Sequence, residues 1–540
     1  LYNILMQTAL RMELQNGCTD RGESLASACT FLSEALERRR GESVCEVYSI
    51  GHTHIDVAWK WPLRQTREKA ARSFQTVLSL MKAYPEYLFM SSQPQLYQFV
   101  KEDRPELYAQ IKERVREGRW ETEGAMWLEA DCNLSSGESL IRHILHGKRF
   151  FREEFGCEDN VVLWLPDVFG YSAALPQIMQ KTGLRYFMTT KIGWNDTNQF
   201  PYDTLYWEGI DGSRVLSHFI TTRNYVPYPE LCRSHNSSTT YNGLENASQI
   251  MGTWQRYQNK SISRKVLTCY GYGDGGGGTT PEMIEEGRRL QKGILNLPKV
   301  RFSKVRDFFK DLEQEVSGKD VPLWCGELYL EFHRGTYTSM AAVKQKNRQC
   351  EFLLLNTEAL AALALSQNAQ AALPSLDAAW KLLLLNQFHD ILPGSSIEEV
   401  YTQAAADYAQ LEDICTRVCT DLMTQLSSPL GFTSCAPEKA DCMVLFNPLG
   451  FADSFAVELP AGLALDEPAQ YLQHTAQGTA LYLVENATAK SLTKLSVVPS
   501  DVPAPQTAPA ERDAIALETD FYCITVTQTG TLVRLYDKEH

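Results

Sequence analysis

The sequence contains no CxxC pair, no basic block interleaved with aromatics, no apolar run near the length of a membrane span and no signal-peptide pattern. Each absence removes a class of protein. The 14 cysteines are scattered, mostly inside apolar runs (Cys45, Cys132, Cys157, Cys269, Cys523), and Cys415 with Cys419 is a helical i,i+4 pair. In so long a chain they are expected to be reduced core residues rather than a disulfide frame. Acidic residues outnumber basic ones, 66 to 52, for a formal charge of −14, so nucleic acid is not an expected partner. A membrane is not expected either. Asn-x-Ser/Thr triplets such as those at Asn236 and Asn486 occur by chance in any long chain. The chain opens on Leu1 rather than methionine and is expected to lack its true start. The compartment these features predict is the cytoplasm.

What is present is a soluble, globular composition, 44% apolar and 22% charged, over 540 residues. That length exceeds one core and predicts two to four domains. Residues 1–43 read as a helical segment, with Leu25, Cys29, Leu32 and Leu36 at helical spacing and Arg38 to Gly41 as its end. Residues 44–310 alternate short apolar runs with amphipathic helices. Strands are expected at 46–51, 87–91, 119–125, 161–166, 186–190, 215–220 and 266–271, and helices at 64–83, 105–117, 137–154, 174–182, 241–257 and 281–292. This predicts a seven-stranded parallel β/α domain, barrel-like or doubly wound, with its chemistry at the carboxyl ends of the strands. Residues 299–340 hold further strand-like pieces, and residues 311–434 read as a connecting segment and then a three-helix bundle. Residues 435–540 read as the start of a C-terminal β-sandwich, too short to close and therefore truncated, with a Pro- and Ala-rich linker at 499–510. The fold class expected is multidomain, α/β followed by α and then β.

The strand ends carry polar and aromatic residues: HTHID, SSQPQ, GAMWLEAD, PDVFG, TTK and YGYGDGGGG. In EVYSIGHTHIDVAWKWP an apolar strand breaks into His52, His54 and Asp56, with Trp59 and Trp61 behind them. Three ligand-type residues at alternate positions point to a metal beside a ring-binding surface, whereas a lone histidine there would read as core. Asp167 follows a second apolar strand and Pro166, flanked by Trp164, Phe169 and Tyr171. It is either a helix N-cap or a carboxylate facing the same rim. His389 and Asp390 in NQFHDILPGS are either a buried polar cap or ligands brought back from a distant segment. The glycines around Asp274 lack the Lys-Ser/Thr of a phosphate loop. They suit a tight turn, or a flexible loop carrying a proton donor. Two carboxylates, His/Asp ligands and aromatic faces such as Trp59 together describe glycoside chemistry.

On these motifs, together with FHRGTYTS and VLFNPLGF, the chain resembles the class II α-mannosidases, glycoside hydrolase family 38, and most closely the branch with the cytosolic, vacuolar and many bacterial enzymes. The resemblance covers most of the chain, with the motifs in order. It implies a retaining exo-α-mannosidase acting on terminal α-linked mannose of oligosaccharides. His54, Asp56, Asp167 and His389 would hold Zn²⁺, with Co²⁺ an alternative, and Asp167 would also be the nucleophile. Trp59 and Phe169 would line the mannose subsite. Glu331, His333, Arg334, Tyr337 and Asp390 are expected on the substrate side. Golgi- and lysosomal-type members carry two adjacent aspartates at the acid/base segment; here a single Asp274 precedes Gly275. Asp274 is the expected acid/base, with Asp131, Glu331 and Asp390 as substitutes. Competing readings are a metal-dependent amidohydrolase using His52, His54 and His218, and a non-catalytic carbohydrate-binding fragment. The sequence leaves the oligomeric state open, a homo-oligomer included.

Overall fold

The computed structural model describes residues 2–12, 21–38, 45–157, 159–227, 239–294, 296–367, 375–427, 442–460, 462–466, 469–475, 479–499, 514–527 and 529–540. Residues 39–41, where the first helical segment is expected to end, lie outside them. So do Asn236, the expected domain limits at 43/44 and 434/435, and residues 500–510 of the Pro- and Ala-rich stretch. The chain divides into two compact units, Leu1–Leu355 with Pro374–Val418, and Asn356–Leu373 with Cys419–His540. No helix among the described residues is long and apolar enough to cross a membrane.

Among the described residues of the first unit, helices Tyr2–Arg11 and Arg21–Glu37 precede ten strands. These are β1 (Glu46–His52), β2 (Phe89–Met90), β3 (Trp120–Glu121), β4 (Val162–Trp164), β5 (Tyr186–Thr189), β6 (Thr204–Glu208), β7 (Arg214–Phe219), β8 (Lys265–Tyr270), β9 (Lys299–Phe302) and β10 (Leu323–Cys325). All seven expected strands form and every ladder among them is parallel, but they are divided between two sheets rather than joined in one. They belong to two five-stranded sheets, one ordered β3-β2-β1-β8 with β9 also on β1, the other ordered β10-β6-β7-β5-β4. The first is parallel throughout, whereas β6 and β7 are antiparallel. Only Gly209–Ser213 joins β6 to β7, closed by the Gly209 amide on the Ser213 carbonyl at 2.9 Å. So short a link admits a hairpin and no helical crossover. Helix Gly137–Phe155 carries the chain from β3 to β4, and a parallel bridge between Gly124 and Leu163 joins the two sheets laterally.

β1 is buried along almost its whole length, as a central strand covered on both faces must be. It pairs with β8 from Glu46–Lys265 to Gly51–Tyr270, so β1 and β8 end side by side and discharge their following loops at the same rim. Helix 241–257 is shorter than expected. It starts at Ala247, where Asn246 accepts the Gln249 amide as N-cap. The residues before it instead bridge to β8 through Gly243 and Tyr270. A Cβ on Gly243 would lie 2.3 Å from the Cys269 carbonyl oxygen, so only glycine permits this approach.

The three helices expected after residue 340 form as Ala341–Gln367, Asp377–Asn386 and Glu398–Ser427. Within the first unit, Gln387 Nε2 donates to Asn347 Oδ1 (2.9 Å) and Glu351 Oε1 (3.0 Å), and Asn386 Nδ2 to Asp407 Oδ2 (3.1 Å). These bonds fix the turn after Asn386. The second unit is β after residue 441: two three-stranded antiparallel sheets share a core of Val457, Leu459, Leu465, Tyr482, Val484, Leu495 and Val497. Ala514–Glu518, Tyr522–Thr527 and Leu532–Asp537 make a third small sheet.

Two packing features of the first unit yield tests. Helix Gly137–Phe155 presses on the stretch that leads to Glu129, and a Cβ on Gly147 would sit 1.9 Å from the Ala125 carbonyl oxygen. Gly147→Ala is therefore expected to lose about 2 kcal/mol of stability by overpacking, read as an earlier denaturant midpoint. Burial pushes the Glu245 carboxyl up to about 8. Its folded form then keeps a proton that the unfolded chain releases near the ordinary carboxylate range. Its contribution to stability is present at low pH and declines as pH rises through about 8. Glu245→Gln is expected to flatten that decline in unfolding midpoints measured across this range.

Candidate active site

Four buried side chains from three distant segments converge at the rim. His54 and Asp56 leave β1 in a segment tied down by the Ile55–Gly275 bridge and by the Asp56 amide on the Asp274 carbonyl at 2.9 Å. Asp167 follows β4 where Pro166, which has no N–H to donate, ends the ladder. His389 sits in the turn after helix Asp377–Asn386, its amide on the Glu129 carbonyl at 3.2 Å. One ligand atom from each of His54, Asp56, Asp167 and His389 lies within 4.8 Å of all the others.

The spacings suit a metal shell. His54 Nε2 is 2.9 Å from Asp56 Oδ1 and 3.5 Å from Asp167 Oδ2; His389 Nε2 is 3.5 Å and 3.6 Å from the same two oxygens. Ligands bonded to zinc at about 2.0–2.2 Å stand about 3.3–3.6 Å apart in a tetrahedron. His389 Nε2 is buried without a hydrogen-bond partner, as an atom reserved for a cation would be. Burial lowers the pKa of both imidazoles, but Glu129 and Asp56 outweigh it at His54, which is held well above the usual histidine range. Asp167 and Asp56 do the same at His389, pushed up to about 10. A buried volume this rich in carboxylate charge favours a cation.

Glu129, within the GAMWLEAD strand end, supports both histidines. Its Oε2 is 3.3 Å from His54 Nδ1, and its carbonyl accepts His389 Nδ1–H at 2.8 Å. Each imidazole thereby turns Nε2 inward. Gln93 in turn donates to the Ile55 carbonyl at 3.2 Å and accepts the Glu129 amide at 3.4 Å, linking two site segments from a left-handed backbone at φ +62°.

The two oxygens of Asp167 have different neighbours. Oδ2 faces the histidines, and Oδ1 takes Lys191 Nζ at 2.6 Å. Burial raises this carboxyl, but Lys191 and the imidazoles outweigh it and hold it well below the usual range. Lys191 lies just past β5, at the TTK strand end, with Nζ 3.5 Å over the Trp194 ring. Asp274 Oδ1 accepts the Tyr241 hydroxyl (3.0 Å) and Asn242 Nδ2 (2.9 Å). The Tyr241 phenol is raised well above its usual range by burial and then by Asp167 and Asp274, and its ring stands edge-on to His54 at 5.1 Å. Of the two readings of this loop, a tight turn or a flexible loop, the tethers agree with the first. Thr53 Oγ1 donates to the Tyr272 carbonyl and the Gly277 amide to Ser73 Oγ, each at 2.9 Å. Its glycines provide clearance, since a Cβ on Gly273 would lie 2.0 Å from Asn242 Oδ1.

His52 is outside the cluster: its ring lies against Trp164, and burial lowers its pKa to about 3. His218 is buried between Thr204 Oγ1 and the Leu267 amide. The amidohydrolase pattern of His52 with His54 and His218 is therefore not assembled. Asp131 caps a turn, its Oδ1 accepting the Asn133 and Leu134 amides at 2.9 and 2.6 Å. Asp390, pushed up to about 7 by burial and Asp56, binds Ser395 Oγ. Phe169 packs edge-on against His389 and stacks on His333 at 4.4 Å. Trp59 is half-buried beside Trp61, with Lys60 Nζ 4.1 Å over its ring. Tyr337 joins through Asn133 Nδ2 at 3.0 Å, and Glu331 accepts the Thr197 amide. Arg334 is exposed.

Residues 44–327 match the model of the glycosyl hydrolases family 38 N-terminal domain, and residues 331–426 match the alpha mannosidase middle domain. The chain belongs to glycosyl hydrolase family 38. It is 41% identical to Alpha-mannosidase G of Dictyostelium discoideum over 77% of this chain and 37% of that protein. It is also 41% identical to Alpha-mannosidase 2C1 of Homo sapiens and 37% identical to the Alpha-mannosidase of Saccharomyces cerevisiae, each over 73% of this chain and 36% of that protein. The chain thus spans little more than a third of the length of these relatives. A crystallised alpha-mannosidase from Enterococcus faecalis V583 shares the fold at a TM-score of 0.70, with 20% identity, over 92% of this chain and 61% of that one. The metal dependence of family 38 mannosidases agrees with the buried His/Asp group.

Support and ligation can be separated by experiment. Glu129→Gln is expected to weaken divalent-metal affinity by about 10–100-fold, read by competition with a chromogenic chelator. His52→Ala is expected to keep one ion per chain; metal loss there would return His52 to the ligand set.

Proposed function

We propose that this chain carries the catalytic centre of a retaining exo-α-mannosidase that removes terminal α-linked mannose from oligosaccharides. The observation that carries the reading is the buried His/Asp group containing Asp167 with a second carboxyl, Asp274, reached through Tyr241, whose ring meets His54 edge-on at 5.1 Å and whose hydroxyl donates to Asp274 at 3.0 Å. A retaining glycosidase needs two carboxyls close together, one as nucleophile and one as acid/base. The names of the relatives supply the sugar.

Asp167 is the proposed nucleophile, already ionised and with Lys191 fixing Oδ1. Asp274 gives a proton to the glycosidic oxygen as Asp167 bonds to the anomeric carbon and the leaving group departs. Asp274 then takes a proton from water, which attacks the same carbon; the electron pair of the ester bond returns to Asp167, and mannose leaves with its α configuration. Tyr241 and Asn242 donate to Asp274 Oδ1 and aim the carboxyl. A divalent ion, zinc or alternatively cobalt, held by His54, Asp56, Asp167 and His389 would supply Lewis-acid contact to the sugar hydroxyls. Phe169 and Trp59 offer ring faces to the bound mannose, with His333, Tyr337, Glu331, Arg334 and Asp390 on the substrate side. The oligomeric state and a cytoplasmic location remain expectations of the sequence.

Asp167→Asn is expected to abolish turnover of an aryl α-mannoside and, because Asp167 also belongs to the His/Asp group and pairs buried Lys191, to lower metal affinity and the unfolding midpoint as well; appreciable turnover by the metal-loaded variant would remove Asp167 as nucleophile. In Asp274→Ala, azide is expected to restore turnover of a substrate with a good leaving group by attacking the anomeric carbon in place of water, so that Asp167 is released and the sugar leaves as α-mannosyl azide; absence of rescue would assign the acid/base to another carboxyl.

A further inference from the structure

One row of rings leads from the reacting carboxylate to solvent, and the proposed reaction leaves its outer part without a task. Next to the ligand His389 lies Phe169, which stacks on His333 at 4.4 Å. Beyond His333 stand Trp194, 6.2 Å away, and Phe332, 5.3 Å away, and these two rings meet edge-on at 6.2 Å. Phe332 is 56% exposed. The inner end is close to the chemistry: the Trp194 ring lies 3.5 Å from Lys191 Nζ, which is itself 2.6 Å from Asp167 Oδ1. The row combines residues far apart in sequence, the 3₁₀ turn Lys191–Trp194 and the segment Glu331–Tyr337. Asn195 clamps them, donating to the Tyr329 carbonyl and accepting the Glu331 amide, both at 3.0 Å. A large exposed ring costs solvation, and a preformed clamp beneath it reduces the ordering cost of whatever binds there.

We infer that Trp194 and Phe332 form the leaving-group subsite, a stacking surface for the sugar on the reducing side of the scissile bond. An exo-acting site closes around the terminal residue, so any surface running outward from the nucleophile serves the part of the substrate that departs. The side of the site agrees. Tyr241, which holds Asp274, has its ring 5.9 Å from the same Lys191 Nζ, so proton donor and ring row flank one ammonium group. The ligand class is a neutral glycan presenting the apolar face of a pyranose, since aromatic faces bind C–H edges and select no charge.

The inference rests on the α-mannosidase reading, and the test separates their failures. In the full-length protein, kcat/KM is measured on an α-linked mannobiose and on α-mannosyl fluoride, whose leaving group is too small to stack. Phe332→Ala is expected to lower the ratio of the two about tenfold, the value of one aromatic contact, and Phe332→Trp to retain it. An unchanged ratio in Phe332→Ala, or an equal fall in Phe332→Trp, overturns the subsite while leaving the glycosidase standing. A wild-type protein that hydrolyses neither substrate removes the α-mannosidase reading, and the subsite with it.

Discussion

Two carboxylates and two imidazoles share one buried volume, and much of the surrounding structure follows from keeping them there. Isolated buried charge is costly, so it must be paired or hydrogen-bonded on every side. Asp167 is held by Lys191 on one oxygen and by the histidines on the other. The histidines are turned inward because Glu129 occupies both Nδ1 atoms, one through its carboxylate and one through its carbonyl. Glu129 is steadied in turn by Ser92 Oγ at 3.1 Å and by Gln93. A side-chain change at Glu129 therefore acts on His54, while the main-chain carbonyl keeps its bond to His389. The centre needs two sheets, because His54 and Asp56 follow β1 of the first while Asp167 follows β4 of the second.

That dependence explains which parts were legible in the sequence. His54 and Asp56 are two residues apart at the end of an apolar strand, and their local pattern alone points to ligands. Asp167 is marked by a strand, a proline and flanking aromatics, though an N-cap would look alike. His389 carries no such mark, since the turn that returns it depends on bonds from Gln387 and Asn386 to other helices. Its role came through family resemblance. Glu129, Lys191, Tyr241 and Asn242 were missed as individuals because they act on other side chains. For Glu129 and Lys191 the strand-end rule had already pointed at their segments; for Tyr241 and Asn242 a helical reading of 241–257 hid the loop.

The fold was legible by element more than by arrangement. Seven strands could be placed from apolar runs, whereas β6 was overlooked and the separation into two sheets was invisible. Periodicity reports which face of a strand is buried and carries little about which neighbour it will meet. The link between β6 and β7 shows how a few residues decide topology: with room for a turn only, the return had to be antiparallel.

The same contrast divides the site by function. The inner part is polar and rigid, each group restrained by at least one other segment, as the glycine-rich loop is by Thr53 and Ser73. Rigid positioning suits groups that must stabilise charge as it develops, because a preorganised site does not reorganise at the moment of reaction. The outer part is a row of rings clamped by Asn195, where contact area matters more than fixed polar geometry. If the inner polar groups recognise the terminal sugar and the outer rings hold the rest, binding energy gathered away from the reacting bond can serve catalysis at it. Lys191 is where the two parts join, with one contact to Asp167 and another to Trp194. In the proposed reaction a leaving sugar on the rings and Asp167 as nucleophile would share that ammonium group as a fixed reference, their relative position set by one short turn after β5.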